Sequence, residues 1–509
     1  MNRNMMFVAL FFGLAVTLFG LGSKDTSRSD FVVQDSVLVQ YLGTDLDVVI
    51  PGNLGITEIG EDAFDKSGIR SISIPEGVQS IARAFGNSHE LTEVTLPSSL
   101  TSIGDYAFFN LGSLENINIP AGVTSIGKWA FYGTGIGSIS IPVGLTAIGD
   151  LAFSNSRNLV EINVDARNAV FTSNDGILYN KAETELLQYP AGRAERTFDI
   201  PTGITTIGAG AFSGSRNLTN ISIPASVTLI KPRAFEFCES LVRIDLPAGV
   251  AVIEDSAFYE CRSLMSVSIP ATVTTISSFA FYDCVSLPRI EIPASVTTIG
   301  DWAFYGCENL TDINVQAQNP AYSSVAGVLF NRDRTELIQY PIGKRETTYS
   351  IPAGVTAIGG WAFSGSDVLT TVVIPASVTA IRTSAFARCT ALANITIPAN
   401  VTTIGENAFY RCGALTSISI PPSVTLLGEN AFARCSSLTS LTLSTGVSTI
   451  GNGTFAWTGL VNISIPPSVT AIMDNAFFES RELRTVELSR STRLEANAFP
   501  TEVQLHYRD

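Results

Sequence analysis

Histidine is nearly absent: His89 and His506 are the only two in 509 residues. That leaves almost no material for histidine-based acid–base catalysis or for histidine zinc sites. Charge is scarce too, at 15% of the chain, and it leans acidic, with a formal net charge of −15. Nucleic-acid binding needs clustered Lys and Arg to displace counterions, so this composition argues against it. It argues equally against attraction to an anionic membrane surface. Long apolar runs are also lacking, with one exception, Met5 to Gly22.

That run follows Arg3 and leads through Gly20, Gly22 and Ser23 into a polar stretch. A basic start, an apolar middle and small residues at the exit form a secretory signal pattern. Residues 1–23 are therefore expected to be a signal peptide, or else an uncleaved anchor, since the run is just long enough to span a bilayer. No cysteine follows it, so lipid modification is not supported. Either way the chain from about residue 31 belongs outside the cytoplasm, secreted or at the cell surface.

Repetition fills the rest. Ala-Phe pairs, with Thr454-Phe455 in the same place, mark seventeen phenylalanines from Phe64 to Phe499. Ten of the sixteen gaps are 23 residues, four are 21 or 22, and two are 59. A fixed period in the twenties marks a solenoid, in which one coil cannot bury its apolar face alone. The stretch Leu264 to Ser286, LMSVSIPATVTTISSFAFYDCVS, shows the order of parts. Leu264, Val267 and Ile269 are inward positions of a short strand. Pro270 removes a donor and ends it. Val273 and Ile276 point inward again from a second short strand. Where a glycine follows that isoleucine, as at Gly300 and Gly405, a positive φ is expected. Ala280 and Phe281 close the coil on one helical turn.

These coils resemble the BspA-like (Treponema pallidum-type) class of leucine-rich repeats. The resemblance rests on strings such as LTSISIPPSVTLLGENAFARCSS (Leu415 to Ser437) and covers about residues 50–500. It implies a leucine-rich repeat solenoid with a parallel β-sheet, short second strands and one helical turn per coil. Pro and a small polar residue stand where the general consensus has asparagine or cysteine, so no buried asparagine ladder is expected. The two long gaps hold matching inserts, about 168–200 and 319–351. Each reads as a β-hairpin, with GILYN and ELLQYP in one and GVLFN and ELIQYP in the other. Residues 24–51 are expected as a linker and N-terminal cap, 52–500 as the solenoid, and 501–509 as a C-terminal tail.

All seven cysteines lie three residues after a repeat phenylalanine, as Cys261 and Cys284 do. Other coils mostly place Ser or Thr there, so the slot is sized by packing and not chosen for thiolate chemistry. Stacked Cβ atoms about 4.8 Å apart are too distant for a relaxed disulfide. Buried free thiols are expected, and no metal or cofactor.

Two sets of residues are candidates for ligand contact. On the strand face, in a ladder of Ser, Thr and Asn, Arg243 with Asp245 and Arg289 with Glu291 are the clearest charged spots. Around the Ala-Phe pair, aromatics fill both flanking slots in four coils: Tyr106/Phe109, Trp129/Tyr132, Phe279/Tyr282 and Trp302/Tyr305. Such rings either pack on each other and on the hairpins or form a binding hot spot. The family resemblance implies an adhesin-like protein of a bacterial surface, with host matrix or another bacterial surface as partner. A structural envelope protein without a host ligand is the alternative. An enzyme using Asp/Glu pairs is the least supported reading.

Overall fold

The computed structural model describes residues 27–86 and 88–508. The expected signal peptide or anchor lies outside the described residues. Among those described, no helix is long and apolar enough to cross a membrane.

Each repeat is one three-sided coil. On the first side, strands such as Arg243–Asp245, Ser266–Ser268 and Arg289–Ile292 follow one another. They pair in parallel and in register, with Ile244 opposite Val267 and Ile290 opposite Ile313. Alternation puts Ile244 and Ile290 in the core and leaves Arg243, Asp245, Arg289 and Glu291 outside. Proline then ends the strand as expected: the Val273 N–H bonds back to the Pro270 carbonyl at 3.1 Å, turning the chain. The second side is a two-residue strand, Thr275–Ile276, paired in parallel with Val252–Ile253 and Thr298–Ile299.

The third side departs from the expected helical turn in an informative way. Its internal bonds are helix-like in span: Tyr282 N–H reaches the Phe279 carbonyl at 3.1 Å, and Cys284 N–H reaches Phe281 at 3.3 Å. Between them, Phe279, Phe281 and Asp283 donate instead to Asp301, Ala303 and Tyr305 of the next coil, at 2.8–3.0 Å. Every second N–H thus stitches coil to coil. The geometry requires left-handed residues before the alanine and two after the phenylalanine, at Phe279 (φ 59°) and Asp283 (φ 53°) here. Gly300 and Gly405 are not among the positive-φ residues. Their lack of a Cβ serves close approach instead. A Cβ on Gly300 would stand 2.4 Å from the Ser278 backbone nitrogen, and one on Gly405 2.5 Å from that of Thr383.

Inside, the repeat phenylalanines form stacks. Phe281 is fully buried, with ring centroids 5.3 Å from Phe258 and 5.9 Å from Phe304, nearly parallel to both. Among the described residues there are three such stacks, with a tyrosine before the first repeat phenylalanine of each: Tyr41 on Phe64, Tyr189 on Phe212 and Tyr340 on Phe363. The hydrophobic core divides the same way, at the two inserts. Each insert is an antiparallel hairpin, Phe171–Asn174 with Ile177–Asn180 and Tyr322–Val325 with Val328–Asn331. A third strand, Glu185–Gln188 or Glu336–Gln339, then returns to parallel pairing with the second side of the next coil. The N-terminal pair Phe31–Gln34 and Val37–Tyr41 starts the first stack in the same manner.

Asparagine is not laddered, but one buried asparagine anchors each insert. Asn319 donates to the Pro293 and Val296 carbonyls at 2.8 Å and accepts from the Ala321 and Tyr322 N–H groups. Asn168 does the same at the first insert.

The cysteine slot has a specific partner. Cys261 Sγ donates to the Phe235 carbonyl of the preceding coil at 3.1 Å, and Cys284 to Phe258 at 3.2 Å. Ser88, Ser156 and Ser480 make the same bond at 2.8–2.9 Å. Interchange of Cys and Ser therefore has a cause: the slot holds a small donor facing a carbonyl. All seven thiols are free and buried, and burial pushes them well above the ordinary range, Cys307 to about 12.

Candidate functional site

The two sets of candidate residues fall on different sides of the solenoid. Arg243 and Asp245 pair within one exposed strand, Nε to Oδ2 3.0 Å. Glu291 accepts from Asn314 Nδ2 at 2.9 Å, and Arg289 stands opposite Asp312 in the register. Exposed pairs of this kind are worth about 0–1 kcal/mol.

The aromatic candidates lie on the loop side, where the inserts create two junctions. Extra strands separate the second-side ladders there, while the loop sides still meet. At the first junction they meet directly: Asn155 N–H bonds to the Ser213 carbonyl at 3.0 Å, and Ser154 Oγ to Gly210 at 3.0 Å. The loop side is thus the inside of a bend, and side chains several coils apart come into contact. The Arg233 guanidinium lies over the Trp129 ring, 5.3 Å from its centroid. Arg233 also pairs with Glu236, which is buried. Burial pushes the Glu236 carboxyl up to about 7, against the pull of Arg233. Tyr132 is buried beneath this pair, and its hydroxyl is pushed up mainly by burial and then by Glu236. Trp129 and Tyr132 are thereby covered by the chain itself, with Tyr106 and Phe109 stacked on them at 6.0 and 5.4 Å.

The second junction is open. The backbone and hydroxyl bonds that close the first have no counterpart there among the described residues. A cleft of about 370 Å³ lies between the coils on either side of the insert, within the usual range for ligand sites. Phe279, Tyr282, Trp302 and Tyr305 form one wall, and Ser384, Ala387, Asn407 and Tyr410 the other. Trp302 meets Phe279 at 5.1 Å and Trp361 at 5.3 Å, both edge-on. Tyr282 stacks between Tyr259 and Tyr305, at 4.9 and 5.3 Å. Burial, then Asp283, pushes the Tyr282 hydroxyl up to about 12. Trp302 stays 38% exposed, so its ring presents to solvent. Ser384 Oγ is buried and has no hydrogen-bond partner in the protein. A second cavity of about 410 Å³ adjoins, sharing Tyr282, Tyr305 and Arg388.

Among the described residues, the ring contacts of these aromatics run within a coil or between coils, not to the hairpin rings Phe171, Tyr179, Tyr322 or Phe330. The structure places Phe279/Tyr282 and Trp302/Tyr305 on one wall and adds Trp361, Ser384 and Tyr410, which the repeat pattern does not single out. Trp361 occupies the same slot as Trp302, two residues before a repeat phenylalanine. The 59-residue gap conceals that the two coils face each other.

The family comparison agrees with this architecture. The family model for the BspA type leucine-rich repeat region (6 copies) matches residues 57–178, 194–311, 344–455 and 379–506. Among solved structures, the chain is similar to a leucine-rich repeat protein from Eubacterium ventriosum, at 24% identity over 74% of this chain and 88% of that one (TM-score 0.47). It is similar to a leucine rich cell surface protein from Faecalibacterium prausnitzii at 23% identity, over 95% and 94% of the two chains (TM-score 0.40). It is similar to the pneumococcal vaccine antigen PcpA at 18% identity, over 94% and 92% (TM-score 0.37). At these identities and scores the likenesses say nothing of function. No curated protein matches.

Proposed function

The chain belongs to the BspA-type leucine-rich repeat family, and from that membership we propose that it is a non-catalytic scaffold that binds another protein at the cell surface. The observation that carries this reading is the open aromatic cleft at the second junction. An exposed Trp and half-buried Tyr in a concave site supply large contact area at little entropic cost, as binding hot spots do. The bend adds reach: coils far apart in sequence can grip one ligand. The thiols are buried, and the strand-face carboxylates Asp245 and Glu291 are already bonded to neighbours, which leaves little free chemistry for catalysis.

An adhesin-like role, toward host matrix or another bacterial surface, is the finer form of this proposal. Secretion through residues 1–23, or anchoring by them, belongs to it as well. The test is capture of partners by the purified chain from matrix proteins and, separately, from the producing cell's own envelope. Matrix capture lost on Trp302→Ser with Tyr305→Ser, at unchanged folding, supports the adhesin reading. Capture from the envelope alone would favour a structural envelope role, and capture from neither would refute the scaffold reading.

A further inference from the structure

We propose that the cleft at the second junction seats the guanidinium of an arginine side chain presented by the partner protein. This rests on the scaffold reading and names the chemistry the cleft takes.

The inference comes from comparing the two junctions, whose flanking coils match position for position. Phe153 corresponds to Phe304, Phe212 to Phe363 and Phe235 to Phe386, each offset by 151 residues. At the first junction the chain fills its own cleft. Arg233 covers Trp129, and its partner Glu236 is buried beside Ser213. At the second junction Ser384 stands in the slot of Arg233, and Ala387 in the slot of Glu236. Both slots keep their backbone form, with φ 60° at Arg233 and 55° at Ser384. The cleft is therefore open where an arginine–glutamate pair has been replaced by a hydroxymethyl and a methyl group.

While the plug is lost, the aromatic lining grows. Leu151 is replaced by Trp302, Ser154 by Tyr305 and Gly210 by Trp361. Arg388 stands in the slot of Phe237 and lines the cleft, but it lies over none of the three new rings, so their faces are left for a cation supplied from outside. Ring faces attract a cation through their quadrupoles, most strongly where water is excluded, and tryptophan does so best. Guanidinium is flat and weakly hydrated, so it stacks on rings better than ammonium does. The buried Ser384 hydroxyl, without a partner in the protein, is placed to accept one of its N–H groups. Around the adjoining cavity stand Asp283, Glu308 and Asp367 against Arg345 and Arg388. Arg388 lines both cavities, and Arg411 stands over the Tyr410 ring, 5.4 Å from its centroid, so an incoming cation meets these two like charges. Around the adjoining cavity the three carboxylates outnumber Arg345 and Arg388.

The test uses the full chain and a short, otherwise uncharged peptide carrying one arginine, with a citrulline twin. Binding is read by tryptophan fluorescence and calorimetry. The arginine peptide is expected to bind at least about tenfold more tightly than the citrulline peptide. Ser384→Arg with Ala387→Glu rebuilds the first junction's plug at the second. This variant is expected to lose arginine-peptide affinity by about tenfold or more with its melting temperature not lowered. Ser384→Arg alone serves if the double variant misfolds, and Arg233→Ser with Glu236→Ala should open a second binding site. Equal binding of the two peptides, no binding of either, or undiminished binding by the plugged variant would overturn the proposal. So would tighter binding of a neutral oligosaccharide. A protein partner captured equally by plugged and unplugged chains would overturn this site while leaving the scaffold reading standing.

Discussion

Replacing Phe281 with alanine and, separately, Cys284 with serine probes the packing of a single coil from two directions. Phe281 is fully buried between two parallel rings at 5.3 and 5.9 Å. Truncating a buried phenylalanine costs about 3–5 kcal/mol, including two ring contacts worth roughly 0.5–1.5 kcal/mol each beyond their area. Because coils touch only their neighbours, the loss should also weaken the link between the coils on either side. Cys284 is equally buried, yet serine in its slot already donates to the facing carbonyl at Ser88, Ser156 and Ser480. The hydroxyl keeps a bond worth about 0.5–1.5 kcal/mol, which offsets the lost sulfur packing. A cost under about 1.5 kcal/mol is expected, the range of well-tolerated core swaps. Urea unfolding gives the two losses, and hydrogen exchange of the amides around Phe258 and Phe304 reports the uncoupling. Equal losses, or a Phe281→Ala loss confined to its own coil, would refute the account of stacked phenylalanines beside an interchangeable donor slot.

Three further outcomes are expected. Glu236 titrates near 7 in the folded chain against an ordinary 4.5, so the folded state holds a proton that the unfolded state releases. Stability should therefore fall as pH rises from about 4.5 through 7, by about 3 kcal/mol at most, and Glu236→Gln should flatten that slope in denaturant melts. Gly405→Ala drives a Cβ to 2.5 Å from the Thr383 backbone nitrogen, whereas at Gly451 the nearest atom is 3.4 Å away on a side chain. The first should cost about 1–3 kcal/mol and the second far less, with equal melting shifts counting against close approach as the reason for glycine. Finally, a thiol reagent should find none of the seven cysteines in the native chain and all seven after denaturation without reductant; any shortfall would reveal a disulfide.

Much of the fold is legible because each coil repeats the same demands. Leu264, Phe281 and Pro270 each act locally, and a pattern recurring in register leaves little room for another period. The cysteine slot was readable for the same reason, since other coils show Ser and Thr in its place. The third side was not. Its alternation of internal and coil-to-coil bonds, with left-handed Phe279 and Asp283, depends on a neighbour one coil away. The reason for glycine at Gly300 is hidden likewise, because the atom it must avoid belongs to Ser278.

The amino-acid sequence alone determined the 23-residue period, the inward positions, the proline stops and the two hairpin inserts, since these follow from chemistry within one coil or its exact repeat. Only the tertiary structure decided what the inserts do. By separating one side of the solenoid they bend it toward the loops, which sets Trp302 against Trp361 and Arg233 upon Trp129. That difference, a plugged junction and an open one built from matching coils, comes from contacts between residues whose distance along the chain gives no sign of their meeting.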